Sequence, residues 1–94
     1  MIKLKIEEKT LQKALDKWGA VAQIRMAIEE CSEFINAQMK FYRKRATIDE
    51  IREEVADVLI VMLQMRTLLG PELVDNIIQE KMERLKMLLE ADDA

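Results

Sequence analysis

The chain predicts an all-α fold on three observations. Strong breakers are confined to Gly19, Gly70 and Pro71. Apolar residues recur at steps of three and four, the spacing that draws one stripe along a helix. No segment shows the β-branched alternation of a half-buried strand. The breakers divide the chain into a four-helix subunit forming a single domain, 1–94, with 1–9 and 90–94 the stretches expected to fray. A chain of 94 residues buries only roughly 60 to 65% of its extended surface. Self-association is therefore expected to complete the bundle.

The first helix is short, running from Thr10 as N-cap to Lys17 or Trp18, where Gly19 supplies a bend. The second covers about 20–44, with Val21, Ile24, Ile28, Cys31, Ile35, Met39 and Tyr42 as its apolar stripe. Its basic end complements the negative end of the helix dipole. Thr47-Ile48-Asp49-Glu50 has the form of a capping box and starts a third helix near Ile48. The core stripe of that helix is Ile51, Val55, Val58, Met62 and Met65. Gly70 closes it and Pro71 opens a fourth, lined by Val74, Ile77, Ile78, Lys81, Leu85 and Leu88.

Composition removes several chemistries. Histidine is absent, which excludes Ser-His-Asp and Cys-His nucleophilic pairs and zinc sites built on imidazole. The single cysteine, Cys31, forms no intrachain disulfide and reads as part of an apolar helix face. No apolar run approaches the length of about 20 residues that spans a bilayer, and the first residues lack a secretory core. The expected location is the cytoplasm, without membrane contact. A net charge of −3 gives no strong pull toward nucleic acid. The basic run at 40–45 reads first as a solvated helix terminus, although Phe41 or Tyr42 there could stack on a base. What remains is carboxylate chemistry.

Two acidic clusters carry it: Glu29-Glu30-Cys31-Ser32-Glu33 and Glu53-Glu54-Val55-Ala56-Asp57. Residues three apart share a helix face, so Glu30 with Glu33, and Glu54 with Asp57, each form a pincer. If the second and third helices pack antiparallel across their short connection, Glu30 comes level with Asp57 and Glu33 with Glu54, to within roughly 4 Å. One isolated pair would only solvate a surface. Two facing pairs beside apolar stripes predict a divalent cation site for Mg²⁺, or Mn²⁺, with water completing the octahedron.

In order, separation and helical setting, these two motifs resemble those of MazG-like nucleotide pyrophosphohydrolases, with one further residue inside the second, where the family pattern reads E-E-x-D. Trp18-Gly19 before them and Lys81-Met82-Glu83-Arg84-Leu85 after them extend the likeness over most of the chain. The resemblance implies hydrolysis of a nucleoside triphosphate, ribo or deoxy, to the monophosphate and pyrophosphate. It implies that Glu30, Glu33, Glu54 and Asp57 hold Mg²⁺ and act in catalysis, and that Lys81 and Arg84 approach the phosphates. Trp18 would face the base across a subunit boundary of a homodimer or homotetramer, although packing at the helix bend is its commoner role. The pattern departs from the family after Arg84, where Leu85 and Lys86 stand in place of an Asn or second basic residue. The competing classes are a noncatalytic helical interaction or regulatory module and, through 40–45, a nucleic-acid binder.

Overall fold

A computed structural model describes residues 4–93, and within them every regular element is helical. The expectations of fraying at 1–3 and at Ala94 lie outside the described residues. Three helices are present rather than four: α1 Glu8–Tyr42, α2 Ile48–Leu69 and α3 Pro71–Asp93. The two helices expected on either side of Gly19 run together as α1, with a kink at Gly19 (φ 83°, ψ 166°). That backbone region is essentially reserved for glycine. Gly19 is thus a non-helical joint between two helical stretches counted together as α1, in keeping with the bend expected there. Thr10 is not the N-cap. The helix begins at Glu8, and the Thr10 hydroxyl donates to Glu7 Oε1 at 3.3 Å. α3 is helical through Asp93.

The α1–α2 connection is closed at both ends by local hydrogen bonds. At the end of α1, Lys44 N–H donates to the Phe41 carbonyl (2.9 Å) and Arg45 N–H to the Lys40 carbonyl (2.8 Å). Lys44 takes the left-handed conformation (φ 60°) that this double closure requires. At the start of α2 the capping box forms as expected: Glu50 N–H donates to Thr47 Oγ1 (3.2 Å), and Thr47 N–H to Glu50 Oε2 (3.4 Å). Thr47→Ala removes that cap and is expected to cost about 1 kcal/mol. A thermal melt should register this as a fall of roughly 4–8 °C, and an unchanged melt would show that the cap is dispensable.

α1 packs along α2, while α3 touches α2 and makes no close backbone approach to α1. The seam between α1 and α2 contains Gln23 and Ala27, buried, and Glu30, Phe34 and Ala37, half-buried, against Val61 and Gln64. Among the described residues the buried apolar side chains are only Leu11, Ala27 and Val61. The expected α1 core stripe does not lie in this seam. It sits roughly 100° further round the helix, leaving Val21, Ile24, Ile28, Ile35, Met39 and Tyr42 exposed and Cys31 half-buried. On α2, Ile51, Val58 and Met65 are half-buried and Val55 and Met62 exposed. On α3 only Val74 of the expected stripe is half-buried.

One charged side chain ties the three helices together near their ends. Arg66, in the last turn of α2, donates from Nε and Nη2 to the two carboxylate oxygens of Asp75 in α3, both at 2.7 Å. Its Nη1 donates to Glu8 Oε1, in the first turn of α1, at 2.8 Å. The guanidinium is only 12% exposed, and its fork geometry favours this bidentate clasp.

Candidate metal centre

The antiparallel packing of α1 and α2 brings the two acidic motifs together. Glu30, Glu33 and Glu54 each present a ligand atom within 4.8 Å of the other two. Asp57 is not among these three. It is exposed, yet close enough that its charge acts on both Glu30 and Glu54. Local helix geometry sets this arrangement: Glu30 falls on the inner face of α1 with Ala27 and Phe34, and Glu54 on that of α2 with Val61.

Burial and mutual repulsion both act on these groups. The Glu30 carboxyl is pushed above the ordinary glutamate range, first by desolvation and then by the charges of Glu33, Asp57 and Glu54. Glu54 is pushed up likewise, first by desolvation and then by Glu33, Asp57 and Glu53. One oxygen of each, Oε2, is buried without a hydrogen-bond partner. Buried acceptors are normally paired. Here two of them converge with a third carboxylate and no compensating donor, an environment suited to a hard divalent cation.

Beside the carboxylates opens a pocket of about 250 Å³ lined by Glu33, Asn36, Lys40, Glu50, Glu53 and Glu54, with Ala37 and Ala46. Asn36 was not singled out from the sequence, and Lys40 only as part of the basic run at 40–45. The available signal was helical spacing, since 33, 36, 37 and 40 share one face of α1. Lys40 forms no salt bridge among the described residues although four carboxylates line its pocket. An adjoining apolar cleft, lined by Gln38, Met39, Phe41, Tyr42 and Lys44, shares Ala46 with this pocket. Glu50 both caps α2 and lines the pocket.

The remaining candidates are not gathered here. Lys81 and Arg84 are exposed on α3, and no described hydrogen bond or salt bridge joins them to the cluster. Trp18 is 52% exposed beside the Gly19 kink, with Lys17 Nζ 5.9 Å from its ring centroid. It precedes the kink, and Glu30 lies about three turns of α1 beyond that kink.

The opposed charge environments predict a particular pH response. Asp75 is held below the ordinary aspartate range, chiefly by its hydrogen bonds from Arg66. Its contribution is present above the unfolded value of about 3.9 and is lost as pH falls through the depressed folded value. Glu30 and Glu54 have the opposite sign. The folded state holds their protons more tightly, so stability declines as pH rises from about 4.3 through their raised folded values. The metal-free protein should therefore melt highest in mild acid and lower at neutral pH. Calorimetric melts across that range check this, and a melting temperature that climbs continuously to neutrality would contradict it.

Comparison with protein-family models, with curated proteins and with solved structures returns no match to this chain. What defines the protein is thus its own geometry: a helical hairpin with a carboxylate cluster in its seam and, among the described residues, no helix long and apolar enough to cross a membrane.

Proposed function

We propose that the chain is a metal-dependent nucleoside triphosphate pyrophosphohydrolase, cleaving the α–β phosphoanhydride bond of an NTP or dNTP to release the monophosphate and pyrophosphate. The observation that carries this reading is the convergence of Glu30, Glu33 and Glu54 with two buried, unpartnered carboxylate oxygens. The likeness of the two motifs to MazG-like enzymes supplies the reaction. Glu30, Glu33 and Glu54 would hold Mg²⁺, or Mn²⁺, with Asp57 completing the acidic set. When bound, the ion supplies positive charge against phosphate oxygens and favours ionisation of water.

The chain's own residues supply the rest. With two glycines in the sequence, no glycine-rich phosphate cradle is built, so cationic side chains take that part. Lys40 lines the pocket with Glu33 and Glu54 and would meet the phosphates there, and Lys81 and Arg84 would join from α3 in the assembled protein. A carboxylate of the cluster accepts the proton of the attacking water. The cleft holding Phe41 and Tyr42 gives the base an aromatic surface, and Trp18 would contribute across a subunit boundary. The working form is a homodimer, or a tetramer of dimers, in the cytoplasm.

The exposed apolar helix faces favour a second reading, a noncatalytic helical interaction module. Incubation with a panel of nucleoside triphosphates and Mg²⁺, with products resolved, separates the two. Monophosphate plus pyrophosphate is expected, and Glu33→Gln should abolish their formation while keeping the fold. Diphosphate plus orthophosphate would contradict the assigned bond, and no turnover of any triphosphate would leave the interaction module.

A further inference from the structure

The α1–α2 turn gathers a charge that the rest of the chain opposes. Lys40, Arg43, Lys44 and Arg45 put four positive charges into six residues. The whole chain carries −3, so the remainder carries −7. All four cations are exposed, and among the described residues none takes part in a salt bridge. Dipole complement asks for a cation in the last turn of α1, which Lys40 supplies, yet three more follow the last helical residue, Tyr42. Nor are their side chains needed as caps, because the carbonyls of Met39, Lys40 and Phe41 already accept backbone N–H groups. Between the cations stand two aromatic residues. Tyr42 is 84% exposed and Phe41 38%, and both line the open apolar cleft, about 760 Å³ in volume, a size that takes a small organic ligand.

We infer that the α1–α2 turn binds single-stranded nucleic acid, stacking a base in the cleft of Phe41 and Tyr42 and setting the flanking phosphates against Arg43, Lys44 and Arg45. Cations interleaved with aromatic rings match a polymer in which charges and flat faces alternate. Stacking on a side chain needs a base free of its duplex partner, which selects a single strand. A free nucleoside triphosphate carries its charge at one end, and Lys40 lines the carboxylate pocket that would receive that end. Arg43 and Arg45 line neither that pocket nor the cleft. A mononucleotide leaves them without a phosphate, whereas a strand continues past its first base and supplies one. A membrane surface would instead ask for apolar side chains projecting from an amphipathic helix, and here they line a concavity. The inference concerns the turn alone and holds whether or not the carboxylate cluster hydrolyses nucleotides.

Fluorescence anisotropy of a labelled oligouridylate of about 12 nucleotides, titrated with the full chain in EDTA, tests this. A 5′ hydroxyl on the probe and the absence of metal keep the carboxylate cluster out of the measurement, so failure here and failure of the pyrophosphohydrolase reading are separate results. Saturable binding is expected, with log Kd rising by roughly 0.7 per unit of log salt for each phosphate contacted. Tyr42→Ala, at an exposed position, should weaken it by about 5- to 150-fold, the value of one stacked base. Arg43→Gln/Arg45→Gln should weaken it as well and flatten the salt slope by about 1.4. Lys13→Gln/Arg25→Gln removes the same charge from exposed positions well before the turn and should bind like the wild type. No binding by the wild type at roughly 50 mM salt would overturn the inference. Equal losses in the two double variants would overturn it by reducing the effect to net charge. Unchanged affinity in Tyr42→Ala would do so by removing the stacked base. Binding to phosphatidylserine vesicles but not to the oligonucleotide would overturn it too, and give the turn to a membrane surface.

Discussion

Glu54→Gln is expected to make the metal-free protein more heat-stable and, in the same molecule, to remove its response to Mg²⁺. The wild-type seam holds three converging carboxylates, two with a buried oxygen that nothing donates to. The amide keeps the size of the side chain, removes one charge from the cluster and offers an N–H to the carboxylates of Glu30 or Glu33. Repulsion and an unsatisfied acceptor are relieved together. The melting temperature without metal should therefore rise. With Mg²⁺ at about 100 times its Kd, the wild type should gain roughly 2.7 kcal/mol, or about 10–20 °C, and the variant only a small part of that. Turnover of a nucleoside triphosphate should fall at least about 100-fold, because metal-borne charge stabilisation is worth several kcal/mol in the transition state. Thermal melts of both proteins with and without the ion make the comparison. A variant that melts lower than wild type without metal, yet gains as much from Mg²⁺, would refute a cation site built on Glu54.

Gln23→Met is expected to raise stability by about 1–3 kcal/mol, or roughly 5–15 °C, without altering turnover. Gln23 is 0% exposed, and neither polar atom of its amide has a hydrogen-bond partner. Gln64 across the seam is 7% exposed, with its Oε1 also unpaired. A buried amide left unpaired bears its full desolvation cost. Methionine fills a similar volume with no polar group. Gln23 lies two turns from Glu30, roughly 10 Å along α1, so the carboxylate cluster should be untouched. Metal-free melts together with initial rates provide the check. A loss of stability would mean that the two amides satisfy each other across the seam.

The parts of the fold legible in the sequence were those set by local chemistry. Thr47 and Glu50 announced the start of α2 because a capping box is complete within four residues. Gly70 and Pro71 marked the break before α3 for the same kind of reason. Gly19 was legible as a bend, and the helical stretches on either side of it meet at its non-helical backbone within α1. The apolar stripe of α1 was real as a pattern. Its assignment to the chain's own core failed because periodicity identifies a face without naming what covers it. The intrachain seam instead follows Gln23, Ala27, Glu30, Phe34 and Ala37, where amides and carboxylates interrupt the apolar signal.

The candidate site divides along the same line. Glu30, Glu33 and Glu54 meet as the hairpin register requires, because spacing on two antiparallel helices fixes which residues come level. Asp57 is exposed and not among the three that meet, an outcome that register alone does not carry. Asn36 passed unnoticed as a site residue and Lys40 was read first as part of a solvated basic helix terminus, because neither announces the pocket that it lines with residues of α2. Arg66 gave no sequence signal, since its partners Glu8 and Asp75 belong to two other helices.

Uptake of Mn²⁺ by the metal-free protein, followed by paramagnetic resonance of the free ion, bears most directly on the carboxylate cluster. Saturable binding is expected in the wild type, competed by Mg²⁺ and lost in the triple variant Glu30→Gln/Glu33→Gln/Glu54→Gln. Equal uptake by wild type and triple variant, or none by either, would contradict a metal centre in the α1–α2 seam.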